Sequence, residues 1–488
     1  NIFFNKCLYP NSWKNGQNSL FLSWKNVEKL CFLSWKNGGD MLKRKIDSYI
    51  KHFYADTNKA LLLTGARQTG KTFSIREFGK TFKSFIEINF IENPEAIEAF
   101  KGTVGTSDLL LRLSAMTTEP LIKGDTLVFF DEVQECPEIV TAIKFLVEEG
   151  SYRYILSGSM LGVELKDLRS EPVGYMGVKD MYPLDFEEFI SAVGVNDEVI
   201  ASLRRSWDER LPVDDFVHTK IMELFRLYLV VGGMPAAVQK YIDTNNLQAV
   251  LAEQQDIIRL YKRDIARYDP DNKLYIEEIF DLIPSELNAK NKRFILKSLN
   301  ANAKYERYEN SFIWLKNAGV ALPVYNVEEP KVPLRFSRSR NLFKLFQSDV
   351  GLLAAQYADG IQLRIITGDR NINFGSVYEN AVAQELVAHG LIPYYYNNKK
   401  RGELDFVIEL DGRVLPIEVK SGKYYEAHRA LANIMECGAY HLTDAVVFNN
   451  DNLKVDGKIL YAPVYMIMFV QKKDIAPDFY KIDLSGLN

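Results

Sequence analysis

The sequence predicts an α/β protein built on a parallel β-sheet, and three stretches carry this prediction. They are ALLLT at 60–64, LVFF at 127–130 and YRYILSGS at 152–159. Short, continuous apolar runs are typical of strands buried on both faces of a parallel sheet. The first run is followed by a glycine-rich loop and an amphipathic helix, and the second ends in two adjacent acids. This order of strand, loop and helix favours a phosphate-binding core.

The composition narrows the class of protein. The chain has 488 residues, enough for about three domains of roughly 150 residues each. Its 47% hydrophobic and 25% charged residues are typical of a folded globular protein. The four cysteines and five histidines are too scattered for a zinc or redox site, which favours reduced thiols and a cytoplasmic location. No apolar run reaches the ~18 residues of a membrane-spanning helix, so no membrane partner is expected.

The first forty residues differ from the rest of the chain. The stretch SWKN recurs at positions 12, 23 and 34, and the intervening residues include Asn and Gly, which form poor helices. Met41 opens a more regular sequence. We therefore expect residues 1–40 to be a non-native or disordered extension and leave them out of the fold prediction.

The glycine-rich loop predicts nucleotide binding. The pattern G-x-x-x-x-G-K-[ST] is matched in full, so the loop N–H groups can cradle phosphates, Lys71 can reach the β- and γ-phosphates, and the Thr72 hydroxyl can bind Mg²⁺. A chance glycine turn is the alternative, which the flanking strand and helix disfavour. The predicted loop contacts are Gly65, Ala66, Arg67, Gln68, Thr69, Gly70, Lys71 and Thr72.

Two later strand ends supply candidate partners for this loop. Asp131 is predicted to hold Mg²⁺ and Glu132 to polarise the attacking water, although adjacent acids at a strand end could also be solvated. Ser157 or Ser159 could contact the γ-phosphate, because ligands bind at the carboxyl ends of such strands. A plain turn at Gly158 is the competing interpretation.

An Asp-Gly pair at 411–412 predicts a two-residue hairpin turn, because both central positions of a type I′ turn require positive φ. The turn sets the pairing: Leu410 with Arg413, Asp405 with Glu418, and Glu403 with Lys420. One face is predicted to be apolar and to carry Leu404, Phe406, Ile408, Leu415, Ile417 and Val419. Opposed carboxylates repel, so either a divalent cation lies between them or the face is solvated.

Nucleic-acid binding would need a local patch, since the formal net charge is −4. Residues 289–345 contain twelve Lys or Arg and four acids, an excess of eight positive charges. A solvated helical surface and a nucleic-acid contact both remain open. The stretch YYYNNKKRG at 394–402 suits base stacking and phosphate contact, or simple packing of its tyrosines.

Ten stretches, in this order, resemble the prokaryotic AAA-type ATPases that carry a C-terminal domain of unknown function. They are GARQTGKT, VFFDEVQ, YILSGSMLG, MYPLDFEEF, VGGMP, LYKRDIARYDP, PSELNAKNKRF, KLFQSDVGLL, GSVYENAVAQEL and ELDFVIE…PIEVKSG. The resemblance extends from Met41 to about residue 470. It implies a P-loop AAA-type core at 41–205, a helical lid at 206–275, a winged-helix segment at 276–345, and a restriction-endonuclease-like α/β domain of the PD-(D/E)xK type at 346–488.

The resemblance also implies site residues. Gly233 and Pro235 match a G-x-P element that packs against the nucleotide. One departure is VGYMG with Tyr175, where many members have Gly-Arg, so the arginine finger is left unassigned. The candidates for it are Arg153, Arg169, Arg259 and Arg263.

For the C-terminal domain, the resemblance implies a metal site. Glu379, Asp405 and Glu418 would hold Mg²⁺, and Lys420 would orient the water or stabilise developing charge. Two functions follow. One is an ATPase, with ATP and Mg²⁺ as cofactors and an oligomer possible, that drives a nuclease acting on DNA. The other is a regulatory ATPase switch whose C-terminal domain binds protein or nucleic acid without chemistry.

Overall fold

The computed structural model describes residues 42–102, 105–158, 174–268, 271–289, 291–369, 374–422, 426 and 428–473. The prediction for residues 1–40 lies outside this part, and the described residues from Lys43 onward form one compact unit. The helices are α1 (Lys45–Asp56), α2 (Lys71–Gly79), α3 (Thr106–Ala115), α4 (Glu138–Glu149), α5 (Phe186–Ala192), α6 (Asp197–Glu209), α7 (Asp215–Val231), α8 (Pro235–Thr244), α9 (Leu247–Tyr268), α10 (Lys273–Asn288), α11 (Tyr305–Asn317), α12 (Val350–Ala354), α13 (Ile361–Thr367), α14 (Gly375–Ala388) and α15 (Arg429–Met435). The strands are β1 (Ala60–Thr64), β2 (Ser84–Asn89), β3 (Thr126–Asp131), β4 (Arg153–Ser157), β5 (Met176–Asp180), β6 (Ala321–Val327), β7 (Arg338–Gln347), β8 (Tyr394–Asn398), β9 (Gly402–Leu410), β10 (Arg413–Val419), β11 (Ala445–Asn449), β12 (Lys454–Asp456) and β13 (Ile459–Pro463).

The predicted parallel core is confirmed. Strands β1–β5 form a five-stranded sheet in the order β2-β3-β4-β1-β5, and all four pairings are parallel. Every residue of β1 and β3 is buried, because alternate side chains enter two apolar layers. Leu62 and Phe130 pack on one face, and Leu61 and Phe129 pack on the other. Parallel strands end at the same edge, so this edge gathers the candidate site.

The second sheet has eight strands in the order β12-β13-β11-β10-β9-β8-β6-β7. Strand β6 pairs with β7 on one side and with β8 on the other. Strand β7 spans Arg338–Gln347 and therefore crosses the boundary predicted at 345/346. Residues 276–345 do contain helices followed by a strand pair, but that pair belongs to the larger sheet. The winged helix therefore stays a prediction.

The hairpin of β9 and β10 has the predicted register. Asp411 and Gly412 have φ of 51° and 76°, and Leu410 faces Arg413. The pairing continues to Phe406 and Ile417.

A β-bulge overturns one part of the hairpin prediction. Between Tyr394 and Tyr396 of β8 the register with β9 shifts by one residue. Leu404 consequently packs in one cluster with Val407, and not on the face predicted for it. A bulge re-aims side chains locally, and here it leaves Asp405 directed toward α14.

The tyrosines at 394–396 are all buried, which favours packing over base stacking at this stretch. In the part of the chain that the structure describes, no single helix is long and apolar enough to span a membrane. Helices α7 and α8 pass that test only as a pair, bent by 120°.

Candidate functional site

The glycine-rich loop joins β1 to α2 and depends on two glycines. Gly65 has φ of +147°, and a Cβ there would overlap the backbone carbonyl oxygen of Met181. Gly70 has φ of +98° and precedes the first turn of α2. Glycine alone adopts such φ values readily. The unsatisfied N–H groups of this helix start and its dipole favour an anion at the loop.

Lys71 lies inside the loop with 9% of its surface exposed. Its Nζ donates to the carbonyl oxygens of Gly65 and Ala66, at 3.1 and 2.9 Å. Burial lowers the pKa of the Lys71 ammonium to about 8, against the opposing charges of Glu132 and Asp131. A cation so weakly solvated gains strongly from a phosphate partner.

Asp131, at the end of β3, is the centre of a polar cluster. It accepts hydrogen bonds from the hydroxyls of Thr72, at 3.2 Å, and Ser157, and from the Asn89 amide at 3.2 Å. Burial raises the pKa of the Asp131 carboxyl above its usual value, although Ser157 and Thr72 oppose this. The adjacent Thr72 and Asp131 oxygens are hard donors and fit a Mg²⁺ ion.

The Ser157 hydroxyl donates a hydrogen bond to Asp131, so Ser157 does more than form a plain turn. Ser159 lies outside the described residues. Asn89 escaped the sequence analysis. Its only signal is its place at the end of β2, which pairs with β3 so that Asn89 stands beside Asp131.

Glu132 adopts a left-handed backbone conformation, with φ of 57° and ψ of 48°. A non-glycine residue held there stores strain, and such strain clusters at functional sites. The amide of Gln134 donates to its carboxylate, and Arg67 Nη2 lies 4.0 Å from its Oε1. Arg67 also bonds Asp264 of α9 at 2.8 Å. Helix α9 therefore contacts both the loop and, through Arg67, the candidate catalytic acid.

The arginine-finger candidates occupy different places. Arg153 donates to the carbonyl of Thr57 at 3.3 Å, and Arg259 pairs with Asp256 within α9. Arg263 is exposed, and Arg169 lies outside the described residues. None of these contacts assigns a finger, so the role stays a prediction.

The G-x-P element lies between the loop and the C-terminal part of the chain. Pro235 packs beside Gly70, where an added Cβ would be 3.7 Å from Pro235 Cγ. The Gly233 amide donates to Asp349 at 2.6 Å, and its carbonyl accepts from the Leu184 amide at 2.7 Å. The element therefore contacts the predicted nucleotide site on one side and the C-terminal residues on the other.

Arg44, just before α1, was also missed. Its Nη1 donates to the Thr69 carbonyl at 2.9 Å, its Nη2 donates to the Tyr182 carbonyl at 2.7 Å, and its Nε lies 3.2 Å from Glu188. Arg44 thus fixes the loop backbone from outside the motif. A single arginine at a helix start carries no recognisable pattern, so the sequence offered no signal for it.

In the second sheet, the predicted acids do come together. Glu379 of α14 is fully buried beside Asp405 of β9. Asp405 accepts from the Val419 amide at 2.9 Å, and Glu418 accepts from Lys420 at 2.8 Å. Burial and the charge of Asp405 raise the pKa of Glu418 well above its usual value.

Two lysines that the sequence analysis did not place also lie in this cluster. Lys292 pairs with Glu379 Oε1. The fully buried Nζ of Lys344 is 2.9 Å from Glu403 Oε1, 3.6 Å from Glu379 Oε2 and 3.9 Å from Asp405 Oδ1. Among the described residues, no group of three or more His, Cys, Asp or Glu is arranged to hold a metal ion. The contacts of Lys292 and Lys344 make this a lysine-neutralised cluster, and the metal at Glu379, Asp405 and Glu418 stays a prediction.

Comparison with protein families finds a match over the region of the first sheet. Residues 57–190, which include the loop, Asp131 and Glu132, match a family model described as an AAA domain. The core is similar to AAA domains. This likeness and the loop geometry together support an AAA-type ATPase core that binds nucleotide. Residues 222–362 and 374–465 match two models described as domains of unknown function, DUF8612 and DUF4143.

Three solved structures are similar at low identity. The Walker-type ATPase PABY2304 of Pyrococcus abyssi has a TM-score of 0.40 and 15% identity, over 65% of this chain and 96% of that one. The ORC1 protein of Aeropyrum pernix in complex with DNA has a TM-score of 0.28 and 12% identity, over 69% of this chain and 98% of that one. Cdc6p from Pyrobaculum aerophilum has a TM-score of 0.25 and 13% identity, over 68% of this chain and 97% of that one. No curated protein matches the chain.

Proposed function

We propose that the chain is an ATP-hydrolysing AAA-type switch that acts on a C-terminal α/β module. The observation that carries this proposal is the edge of the first sheet, where buried Lys71 and half-buried Thr72 of the glycine-rich loop meet buried Asp131 at the end of β3. Each side chain is of the type that phosphoryl transfer requires at that place.

The roles follow from the contacts. Lys71 exchanges its bonds to the carbonyls of Gly65 and Ala66 for bonds to phosphate oxygens. Thr72 and Asp131 would hold Mg²⁺, which would supply neutralisation of phosphate charge. Glu132 leaves Gln134 and orients the attacking water. Ser157, bonded to Asp131, transmits the state of the γ-phosphate to β4.

A buried hydrogen-bond chain supports coupling between the core and the C-terminal module. The Phe186 amide donates to Glu385 of α14 at 2.8 Å, and the Tyr228 hydroxyl bonds both the Leu184 carbonyl and Glu385, at 2.8 and 3.1 Å. The bond from Gly233 to Asp349 lies in the same layer. Because these groups are buried, breaking one bond leaves an unsatisfied polar atom. A shift of the lid is therefore passed to α14.

Nucleic acid is the partner class that we propose for the C-terminal module. Edge strand β7 and the segment before it expose Arg335, Arg338 and Phe336, the last with 76% of its surface accessible. Arg338 stacks on the Tyr325 ring at 4.3 Å. Arginines interleaved with aromatic rings suit contact with a phosphate backbone and bases. The alternative, DNA cleavage, would require metal at Glu379, Asp405 and Glu418 with Lys420 as a helper, and the buried lysines favour binding without cleavage.

Hydrolysis of ATP by the full chain with Mg²⁺, with and without duplex DNA, tests the proposal. Lys71→Ala should lose nucleotide binding, because the loop loses its point charge. Glu132→Gln should bind ATP and lose turnover, because only water activation is removed. Lys80→Ala, at the exposed residue that directly follows α2, is the matched lysine control.

Turnover by Glu132→Gln at the parent rate would overturn the assignment of Glu132. Mg²⁺-dependent cutting of the DNA that is lost in Asp405→Asn would instead establish the nuclease.

A further inference from the structure

The carboxylate cluster of the second sheet has a cation at its centre, supplied by the chain. Lys344 is on β7, opposite Val324 of β6, and none of its surface is exposed. Its Nζ lies over the Tyr395 ring, 5.2 Å from the ring centroid. A charge so completely removed from water must be paired. The packing thus holds the ammonium between the sheet and α14, out of contact with solvent.

The three carboxylates around this ammonium come from two elements that are remote from β7 in sequence. Glu379 lies on α14, while Glu403 and Asp405 lie on β9. Their oxygens stand 2.9 to 3.9 Å from Lys344 Nζ. The bulge at β9 is what aims Asp405 into this group, since it leaves neighbouring Leu404 on the opposite, apolar side. The three carboxylates therefore surround one point, and Lys344 Nζ occupies it.

A divalent cation needs that same point. Mg²⁺ requires oxygens at about 2.0–2.1 Å in a near-octahedral arrangement. An ammonium within hydrogen-bond range of Glu403 excludes such an ion by volume and by like-charge repulsion. Two further carboxylate oxygens are also paired with lysines. Lys292 pairs with Glu379 Oε1, and Lys420 pairs with Glu418 Oε2.

We propose that Lys344 takes the place of a divalent cation among Glu379, Glu403 and Asp405, so that the C-terminal module keeps its carboxylates together without metal. This goes beyond the ATPase switch and does not depend on it. It also makes the cluster a latent metal site. Removing the ammonium while keeping the carboxylates leaves an uncompensated negative centre, which a hard cation can then fill.

The test uses the full chain without nucleotide, in an Asp131→Asn background that removes the carboxylate ligand from the other candidate metal site. Mn²⁺ is the probe, followed by calorimetric titration and thermal unfolding. The parent in this test is the Asp131→Asn chain with Lys344 intact, and it should show no Mn²⁺ binding and no shift in Tm. Lys344→Met should unfold at a lower temperature without metal, and saturating Mn²⁺ should raise its Tm by roughly 5 °C. Adding Glu379→Gln should abolish that rise.

Two further variants separate charge from size. Lys344→Arg keeps the cation and should bind no Mn²⁺, while Lys400→Met removes an exposed lysine of the same module and should behave as the parent. Should Lys344→Met fold only when Mn²⁺ is supplied, that dependence supports the proposal. Mn²⁺ binding by the parent that disappears in Asp405→Asn would overturn it. A Lys344→Met chain as stable as the parent and unresponsive to Mn²⁺ would overturn it equally, whatever the ATPase rate.

Discussion

Gly65 is the residue at which the phosphate loop tolerates least change. Its φ of +147° excludes most side chains, and a Cβ would overlap the Met181 carbonyl. Gly65→Ala should therefore displace the loop from β5 and weaken nucleotide binding by roughly 5- to 150-fold, since strain of this kind costs about 1–3 kcal/mol. Calorimetric titration with ATP measures the loss.

Gly124→Ala provides the matched control. Gly124 also has positive φ, +76°, but an added Cβ would meet nothing within 4 Å. That variant should lose some stability through φ strain and keep its affinity for ATP. Equal ATP affinity in the parent and in Gly65→Ala would show that the loop does not need this contact.

The residues of the loop could be predicted because their spacing is local. Lys71 and Thr72 follow Gly65 within eight positions, and the chain from β1 to α2 fixes their geometry. Arg44 and Lys344 could not be predicted, since their roles depend on partners brought together only by tertiary packing. A lysine counted along the sequence as part of a basic patch is, in the fold, the most buried cation of an acidic cluster.

At the scale of elements, helix α14 carries the pH dependence of the contact between the two sheets. Burial raises the pKa of Glu385 to about 7, with the charge of Asp185 adding to the effect. His389, 3.7 Å away, also has a raised pKa, because the nearby carboxylates of Asp185, at 3.6 Å, and Glu385 outweigh burial. Both groups therefore bind protons more tightly in the folded chain than in the unfolded chain.

Stability should consequently fall as the pH rises. Between the usual pKa of Glu385, 4.5, and its folded value of about 7, the folded chain keeps a proton that the unfolded chain has released. The charge on His389 adds stability below its usual pKa of 6.5, and this is lost as the pH rises through the folded value.

Glu385→Gln keeps an oxygen acceptor for the Phe186 amide and cannot ionise. The fall in Tm between pH 5 and 7 should become shallower. At pH 8 the free energy of unfolding of the variant should exceed that of the parent by on the order of 2 kcal/mol. Thermal unfolding across this range measures both effects, with exposed Glu209→Gln as control. An unchanged slope would assign the pH dependence to other groups.

The hairpin shows what can be predicted for an element. Its register follows from Asp411 and Gly412 alone, because a two-residue turn fixes the pairing of its strands. The bulge could not be predicted in the same way, since it arises from pairing with β8. The face of Leu404 was therefore predicted wrongly, although the hairpin itself was right.

At the scale of the whole molecule, the division into domains depends on contacts that no local pattern specifies. Strand β6 and most of β7 precede the predicted nuclease-like domain in sequence, yet they belong to the same sheet as its strands. Lys344 reaches the carboxylates because β7 belongs to that sheet. The parallel core was predictable because its strands are short apolar runs, whereas the mixed second sheet combines strands from widely separated stretches.

The last prediction concerns communication between the two sheets. The Tyr228 hydroxyl bonds the Leu184 carbonyl and Glu385, and it accepts from Gln384 at 2.9 Å. In a Glu132→Gln chain, which should hold ATP without turnover, saturating ATP should change amide hydrogen exchange in α14 relative to the nucleotide-free chain. Tyr228→Phe removes only the hydroxyl, so it should reduce that change while leaving ATP affinity intact.

Hydrogen exchange followed by mass spectrometry measures this effect, and Tyr152→Phe, a partly buried tyrosine of the core, serves as the control. Hydrogen exchange measures the free energy of local opening separately for each segment. A change confined to α8 and α9 would therefore place the response in the predicted lid. Exchange in α14 that is the same with and without ATP would contradict the coupling. In that case the buried hydrogen bonds hold the two sheets together without transmitting the state of the nucleotide.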